Sequence, residues 1–161
     1  MTTTLRLARP DDARLIHAFI LELADYEKLP HEVRITVSGV EAMLFGTHPR
    51  AFCEIAELDR KPVGFALWFY SVSTFEGQHG IYLEDLFVRP SARGVGIGKA
   101  LMERLARRCR DEGLARLEWA VLDWNTPAIA FYDSLGATAK TAWITRQLRG
   151  AALERLASSE A

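Results

Sequence analysis

Residues 93–99 read Arg93-Gly94-Val95-Gly96-Ile97-Gly98-Lys99, and this glycine-rich stretch decides the fold assignment. It follows a segment rich in strand-forming residues and precedes a segment of helical periodicity. Glycines in such a turn let the backbone approach a ligand closely, and the free N–H groups at a helix start attract an anion. The stretch therefore predicts a binding site for a pyrophosphate.

Three phosphate-binding patterns compete for this stretch. A P-loop needs serine or threonine after Gly98-Lys99, where the sequence has Ala100. A dinucleotide-binding fingerprint needs a third glycine in place of that lysine and an acidic residue closing the next strand, whereas Glu118 lies in mid-strand. The pattern Arg-x-x-Gly-x-Gly fits without adjustment. A plain tight turn is the remaining alternative.

The segments on either side of the loop predict a mixed α/β fold. Downstream, Ile97, Leu101, Leu105 and Cys109 form one apolar stripe along a helix over 96–112. Upstream, β-rich segments are separated by short turns, which predicts an antiparallel meander. The predicted strands cover 4–8, 51–58, 62–72, 80–88, 114–122 and 137–148, and the other predicted helices cover 13–27, 38–45, 126–135 and 151–157.

Composition narrows the classes of function. The chain has 161 residues, of which 49% are hydrophobic and 25% charged, and this is enough for one ordinary globular core. A formal net charge of -1 gives no electrostatic reason to expect a nucleic acid or membrane partner. Cys53 and Cys109 lack paired spacing, so we expect free thiols in a reducing cytoplasm. The four histidines show no ligand spacing, and no metal is expected.

Further motifs accompany the Arg93-to-Gly98 pattern. Residues 82–88 read Tyr-Leu-Glu-Asp-Leu-Phe-Val, residues 120–125 read Ala-Val-Leu-Asp-Trp-Asn, and Phe131-Tyr132 and Leu135-Gly136-Ala137 follow. Together these motifs resemble the GCN5-related N-acetyltransferase (GNAT) superfamily, and within it the diamine (spermidine/spermine) acetyltransferase family. Residues 73–77 and 121–125 are closer to its thialysine acetyltransferase branch. The resemblance covers roughly residues 5–143 and does not include 149–161.

The resemblance implies a fold and an activity. The fold would be a GNAT fold, a single N-acetyltransferase domain over 1–161 whose central mixed sheet has an antiparallel N-terminal half and flanking helices. The protein would be a cytoplasmic homodimer that transfers the acetyl group of acetyl-coenzyme A to a primary amine of a small molecule, directly in a ternary complex. Two alternatives stay open: a protein lysine or N-terminal acetyltransferase, and a non-catalytic coenzyme A-binding regulatory module.

The resemblance also places the coenzyme. Its pantetheine arm would lie along the end of the 80–88 strand, where two parallel strands splay apart, and a backbone N–H near Phe87 or Val88 would stabilise the developing oxyanion. Asn125 also has the pattern of a helix cap before Thr126-Pro127. The implied coenzyme-binding residues are Leu86, Phe87, Val88, Arg93, Gly94, Val95, Gly96, Ile97, Gly98, Lys99, Asn125, Thr126, Pro127, Ala128 and Tyr132.

Two catalytic roles are expected. Tyr132 matches the family's catalytic tyrosine, whose phenol can protonate the leaving thiolate; the alternative is a core aromatic. Glu84 and Asp85 interrupt an apolar strand, and strand alternation predicts that they face opposite sides. Because an alkylammonium must lose a proton before it attacks, Glu84 is expected to attract the amine and deprotonate it, directly or through water. A solvated or arginine-paired carboxylate is the alternative.

Acceptor-binding residues are implied as well. The polyamine enzymes carry an acidic residue at the position aligned with Ser73. Its loss favours a lysine-like acceptor, whose carboxylate or hydroxyl Ser73 and Thr74 would hydrogen-bond. Tyr26 and Glu27 equally fit a solvated helix end. The implied acceptor-site residues are Tyr26, Glu27, Ser73, Thr74, Glu84, Asp85, Glu118, Trp119 and Ala120.

Overall fold

The computed structural model describes residues 1–158 and contains one five-stranded sheet in the order β1-β2-β3-β4-β5. Strands β1 to β4 form an antiparallel meander, and β5 pairs parallel to β4 after a helical crossover. The strands are β1 Thr3–Leu7, β2 Phe52–Leu58, β3 Lys61–Ser73, β4 Gln78–Val88 and β5 Leu117–Trp119. The helices are α1 Ala13–Tyr26, α2 Val37–Phe45, α3 Ile97–Asp111, α4 Thr126–Ser134 and α5 Ala151–Ala157. The predicted fold class is confirmed.

The chain divides into two compact units. The first, Met1–Leu122, holds the sheet with α1, α2 and α3. The second, Asp123–Ala161, is described as far as Ser158 and holds α4 and α5. A single N-acetyltransferase domain over 1–161 stays a prediction, and its residues 159–161 lie outside the described part. No helix within residues 1–158 is long and apolar enough to cross a membrane.

One face of the sheet packs against α1. The helix presents Ile16, Phe19 and Leu23 at helical spacing, and all three are buried. The ring of Phe19 stacks on that of Phe65 in β3, with 5.4 Å between centroids and 7° between planes. Phe87 of β4 completes this aromatic cluster, at 6.3 Å from Phe19. The end of α1 is therefore held close to the end of β4.

The opposite face packs against α3 and contains a buried ion pair. Glu54 in β2 is 0% exposed, and its Oε2 accepts a hydrogen bond of 2.6 Å from Arg104 Nε. One turn later, Arg108 Nη2 lies 3.6 Å from Glu54 Oε1, and its guanidinium stands 5.0 Å from the Trp68 ring. Burying a carboxylate is tolerable only with such partners. The pairing fixes α3, whose first residues follow the glycine loop.

Two predicted strands differ from the structure. The predicted strand over 114–122 is reduced to Leu117–Trp119. The predicted strand over 137–148 is absent, and its Trp143 and Ile144 are 73% and 76% exposed. β-type residues alone do not make a strand, because their preference reflects packing against a paired neighbour.

We expect Glu54→Gln to lower the free energy of unfolding by about 2–3 kcal/mol, because it removes the charge that compensates two arginines. Equilibrium urea unfolding measures this loss. Glu103→Gln is the matched control, since Glu103 makes only exposed contacts with Lys99 (3.7 Å) and Arg107 (4.0 Å) on the same helix. That change should cost less than about 0.5 kcal/mol. Equal losses in the two variants would contradict the role given to Glu54.

Candidate active site

The glycine loop has a backbone that only glycine adopts easily. A short 3-10 turn over Pro90–Ala92 follows β4, and Gly94 and Gly96 then have φ values of +80° and +86°. Gly96 is the N-cap of α3, and no side chain of the described residues caps that helix start. The first-turn N–H groups have no intrahelical partner and face the loop. The arrangement is that of an anion-binding helix start.

Arg93 uses its side chain to join three elements. Its Nε donates a hydrogen bond of 2.8 Å to the carbonyl oxygen of Val88 at the end of β4. Its guanidinium lies 4.8 Å from the ring centroid of Tyr26 on α1 and 5.7 Å from that of Phe87. The guanidinium therefore fixes the start of the loop, which leaves the loop backbone to meet a ligand. Lys99, in the first turn of α3, is exposed.

The parallel pair β4–β5 opens after three register pairs. The last pair joins Leu83 to Trp119, whereas β4 continues for five further residues, Glu84–Val88. Backbone N–H and C=O groups alternate along a strand, so this stretch presents polar groups on the side that β5 has left. An extended ligand with amide groups can pair with such an edge. The opening coincides with the predicted pantetheine site.

Glu84 is the extra residue of a β-bulge. In the β3–β4 ladder Leu83 lies opposite Trp68 and Asp85 lies opposite Leu67, which leaves Glu84 without a partner. Because a bulge interrupts the two-residue period, simple alternation does not determine the face of Glu84, and the prediction that Glu84 and Asp85 face opposite sides stays a prediction. Asp85 shares the face of Leu67, which belongs to the core beneath α1.

Three carboxylates act on one another at this point. The pKa of Asp85 is raised from 3.8 to about 7, chiefly by burial and then by the negative charges of Glu84 and Glu27. Burial also raises the pKa of Glu27, the residue that ends α1. We call Glu27, Glu84 and Asp85 the acidic cluster. It attracts a cation and, near neutral pH, can accept a proton.

Tyr82 belongs to the same face and was missed by the sequence analysis. Its ring packs on that of Phe69, with 5.2 Å between centroids, and Glu118 of β5 is its register partner. Burial, followed by the charges of Glu84 and Glu118, raises the pKa of Tyr82. The sequence did hold a signal for Tyr82 as a site residue, because it lies two residues before Glu84 in the same strand.

The remaining predicted acceptor residues lie along the same strands. Ser73 is buried, and its Oγ accepts a hydrogen bond of 3.3 Å from the Glu76 N–H in the β3–β4 turn. Thr74 is exposed in that turn. Glu118 Oε2 lies 2.6 Å from Arg116 Nε. Trp119 ends β5, and Ala120 follows it with its surface exposed.

The predicted residues of the second unit lie on α4. Asn125 is its N-cap, and its Oδ1 accepts a hydrogen bond of 3.4 Å from the Ala128 N–H, which confirms the predicted cap. Thr126 and Pro127 form the first turn. Tyr132 lies in the last turn of the helix, with its ring 5.2 Å from that of Phe131.

Comparisons with known proteins agree on one class. The profile of the Acetyltransferase (GNAT) family matches residues 16–137. The chain belongs to this family of enzymes, which transfer the acetyl group of acetyl-coenzyme A to an amine. The resemblance described from the sequence motifs is confirmed.

Individual relatives are similar over nearly the whole chain. A thialysine N-epsilon-acetyltransferase of Caenorhabditis elegans is 38% identical over 151 residues, covering 92% of each chain. An L-ornithine N5-acetyltransferase of Arabidopsis thaliana is 28% identical, covering 97% of this chain and 88% of its own length. The structure of an integron cassette protein from the mobile metagenome of V. cholerae superposes with a TM-score of 0.82 at 27% identity, covering 99% of each chain.

We expect Gly96→Ala to weaken coenzyme A binding at least tenfold, because a side chain at φ +86° shifts the backbone that faces the anion. Gly113→Ala is the matched control, since Gly113 follows α3 with φ +67° and a Cβ there would also meet open space. Both variants should lose about 1 kcal/mol of stability. Calorimetric titration with coenzyme A separates them, and an equal loss of affinity in both would exclude a loop-specific effect.

Protonation of Asp85 should appear in the pH dependence of stability. Because its folded-state pKa is raised from 3.8 to about 7, the folded protein holds a proton that the unfolded chain releases between these values. The free energy of unfolding should therefore fall as the pH rises from about 4 to about 7. Asp85→Asn should remove this fall and be more stable than the parent by about 2 kcal/mol near pH 8. Glu84→Gln should move the fall to lower pH. Identical pH profiles for the parent and Asp85→Asn would contradict the assignment.

Proposed function

We propose that this enzyme acetylates the side-chain amine of a small lysine-like amino acid, with a diamine or polyamine as the second candidate. The acidic cluster beside the opened edge of β4 is the observation that carries the proposal. It offers negative charge to an ammonium group at the place where an acetyl thioester would lie if coenzyme A followed β4. The thialysine and ornithine relatives support an amino-acid acceptor.

Coenzyme A would be bound by the backbone of β4 and by the N–H groups at the start of α3. The pyrophosphate would lie against residues 94–99, held by the N–H groups that begin α3. The pantetheine amides would pair with Leu86 to Val88, the stretch of β4 beyond the last β5 pair. A backbone N–H near Phe87 or Val88 would meet the oxyanion of the tetrahedral intermediate. Residues 125–128 at the start of α4 are proposed as the second coenzyme contact.

Proton transfer would use two carboxylates beside the acceptor amine and one tyrosine beside the leaving thiolate. An acceptor ammonium must lose a proton before its nitrogen attacks the acetyl carbonyl. Glu84 is the proposed base, and Asp85, with a pKa of about 7, is well matched to hold that proton. Tyr132 would donate its phenolic proton to the departing coenzyme thiolate. Direct transfer in a ternary complex needs no acyl-enzyme, and both cysteines are buried.

Assembly and compartment follow as further proposals. The exposed apolar side chains of Trp143 and Ile144 support a homodimer, since adjacent large apolar residues in solvent commonly mark a contact surface. The two free cysteines support a reducing compartment such as the cytoplasm. A small-molecule acceptor is favoured over a protein because the carboxylates lie on the sheet beside the end of α1.

An acceptor panel tests the proposal. The purified protein would be given acetyl-coenzyme A with thialysine, lysine, ornithine, putrescine, spermidine, spermine or a lysine peptide, and thiol release and product mass would be measured. We expect kcat/KM for the amino acids to exceed that for the polyamines at least tenfold. A preference for polyamines would select the second candidate. Thiol release with the peptide alone would favour a protein acetyltransferase, and tight coenzyme binding without turnover would favour a regulatory module.

A variant pair tests the proton donor. We expect Tyr132→Phe to lower kcat about a hundredfold while the KM for acetyl-coenzyme A changes little. Tyr70→Phe is the matched control, because the Tyr70 hydroxyl is hydrogen-bonded to Glu112 just beyond α3, on the face of the sheet opposite Asp85. Unchanged turnover in Tyr132→Phe would remove this tyrosine from the mechanism.

A further inference from the structure

We infer that Arg116, together with Glu118 and Glu76, binds the α-amino-acid head group of the acceptor, and that this subsite selects amino acids over diamines. The inference rests on the proposed function, because it names the part of the acceptor that lies away from the reacting amine. We call Arg116, Glu118, Glu76 and Ser71 the head-group cluster. All four lie in the first unit, in or between β3, β4 and β5.

The guanidinium of Arg116 lies between two carboxylates. Its Nε is 2.6 Å from Glu118 Oε2, and its Nη1 donates to Glu76 Oε2 at 3.4 Å. The Nε–H nevertheless makes no hydrogen bond within residues 1–158, although it is buried. The short contact with Glu118 is thus a close ion pair with an unaligned donor. A ligand carboxylate can satisfy such a guanidinium in the planar geometry that arginine favours.

A buried hydroxyl without a partner lies beside the same glycine as the arginine side chain. Ser71 Oγ is buried and has no hydrogen-bond partner in the described part of the chain. A Cβ built on Gly80 would lie 2.9 Å from Arg116 Cγ and 3.1 Å from Ser71 Oγ, so these two side chains flank the same bare patch of β4. The absence of a side chain at Gly80 lets Arg116 lie close to the sheet beside that hydroxyl.

Rigid backbone supports the cluster. Ser71 pairs with Gly80 in the β3–β4 ladder, and the Arg116 carbonyl accepts the Ile81 N–H at 2.9 Å. Glu76 is held in its turn by the hydrogen bond from its own N–H to Ser73 Oγ. Ser73, predicted to contact the acceptor carboxylate, thus acts here on the position of Glu76.

The charges of the cluster are complementary to an amino-acid head group. An α-carboxylate would meet Arg116, and an α-ammonium would meet Glu118 or Glu76. A polyamine offers only cations, so it would meet the arginine as a like charge. This repulsion of the polyamine would contribute to specificity alongside the attraction between Arg116 and the α-carboxylate.

The head-group cluster lies on the same side of the sheet as the acidic cluster. Glu118 pairs with Tyr82, Tyr82 pairs with Phe69, and Asp85 pairs with Leu67, so these side chains share the face of α1. From the level of Glu118 and Tyr82 to that of Asp85 is about 7–10 Å along the strand, and the Arg116 guanidinium reaches this level through its 2.6 Å contact with Glu118. Ser71, at the level of Gly80, lies about 7 Å further away. The separation of about 7–10 Å is comparable to an extended lysine side chain. The rings of Tyr82 and Phe69 would line its methylene groups.

Matched acceptors test the inference. Lysine and 1,5-diaminopentane carry the same reacting amine, and only lysine has a carboxylate; ornithine and 1,4-diaminobutane form a second such pair. We expect Arg116→Gln to raise the KM for lysine and ornithine about thirtyfold, to lower the KM for the diamines because a like charge is removed, and to leave the KM for acetyl-coenzyme A unchanged. Arg116→Lys should restore the KM only partly, because a lysine lacks the planar fork. Arg110→Gln is the control, since within residues 1–158 the Arg110 side chain forms an ion pair only with its exposed neighbour Asp111.

A second variant probes the other charge of the head group. Glu118→Gln should raise the KM for lysine but not that for Nα-acetyl-lysine, which has no α-ammonium. If Arg116→Gln affects lysine and 1,5-diaminopentane equally, or affects neither, the head-group inference is overturned while the proposed function stands. If the parent enzyme acetylates none of these amines, the proposed function itself fails.

Discussion

The unpaired residue Glu84 in β4 is the constraint on which the site depends. If Glu84 instead occupied a regular, paired position in the ladder, the two-residue period of the strand would direct Asp85 towards α3 and away from Glu27. With it, Asp85 aligns with Leu67 on the face of α1. The bulge also follows directly after Leu83, the last residue of β4 that pairs with β5. A single extra residue therefore gathers the carboxylates where the strand edge becomes open.

Two carboxylates of this sheet, Glu54 and Asp85, have different roles because their charged neighbours differ in sign. Glu54 is buried on the α3 face and has arginine partners, so it fixes a helix. Asp85 is half-buried on the α1 face, and besides this burial the charges of two more carboxylates raise its pKa. Pairing a carboxylate with arginines stabilises the fold. Placing carboxylates close together raises their proton affinity and favours the binding of a cationic ligand. The sheet thus separates a structural face from a reactive one.

Much of the fold could be predicted from the sequence because its signals are local. The stripe from Ile97 to Cys109 defines α3, and the loop glycines have the positive φ values that such a turn requires. Features set by pairing between distant segments could not be predicted. The bulge at Glu84 exists only relative to β3, and the β-type residues of 137–148 form no strand because composition does not supply a partner. Likewise, the position of Ser71 beside Arg116 depends on three strands meeting.

The coenzyme and acceptor parts of the proposed site depend on different features of the sequence. Coenzyme binding relies on backbone conformation, so it tolerates few changes at Gly94 and Gly96. Acceptor binding would rely on the side chains of Arg116 and Glu118, which lie just before and within β5, and the backbone hydrogen bonds of the sheet do not depend on these side chains. Exchanging such side chains alters the charge pattern without disturbing the ladder. Enzymes of one family can therefore use the same acetyl donor with different amines. In this chain, the head-group cluster would determine which amine is preferred.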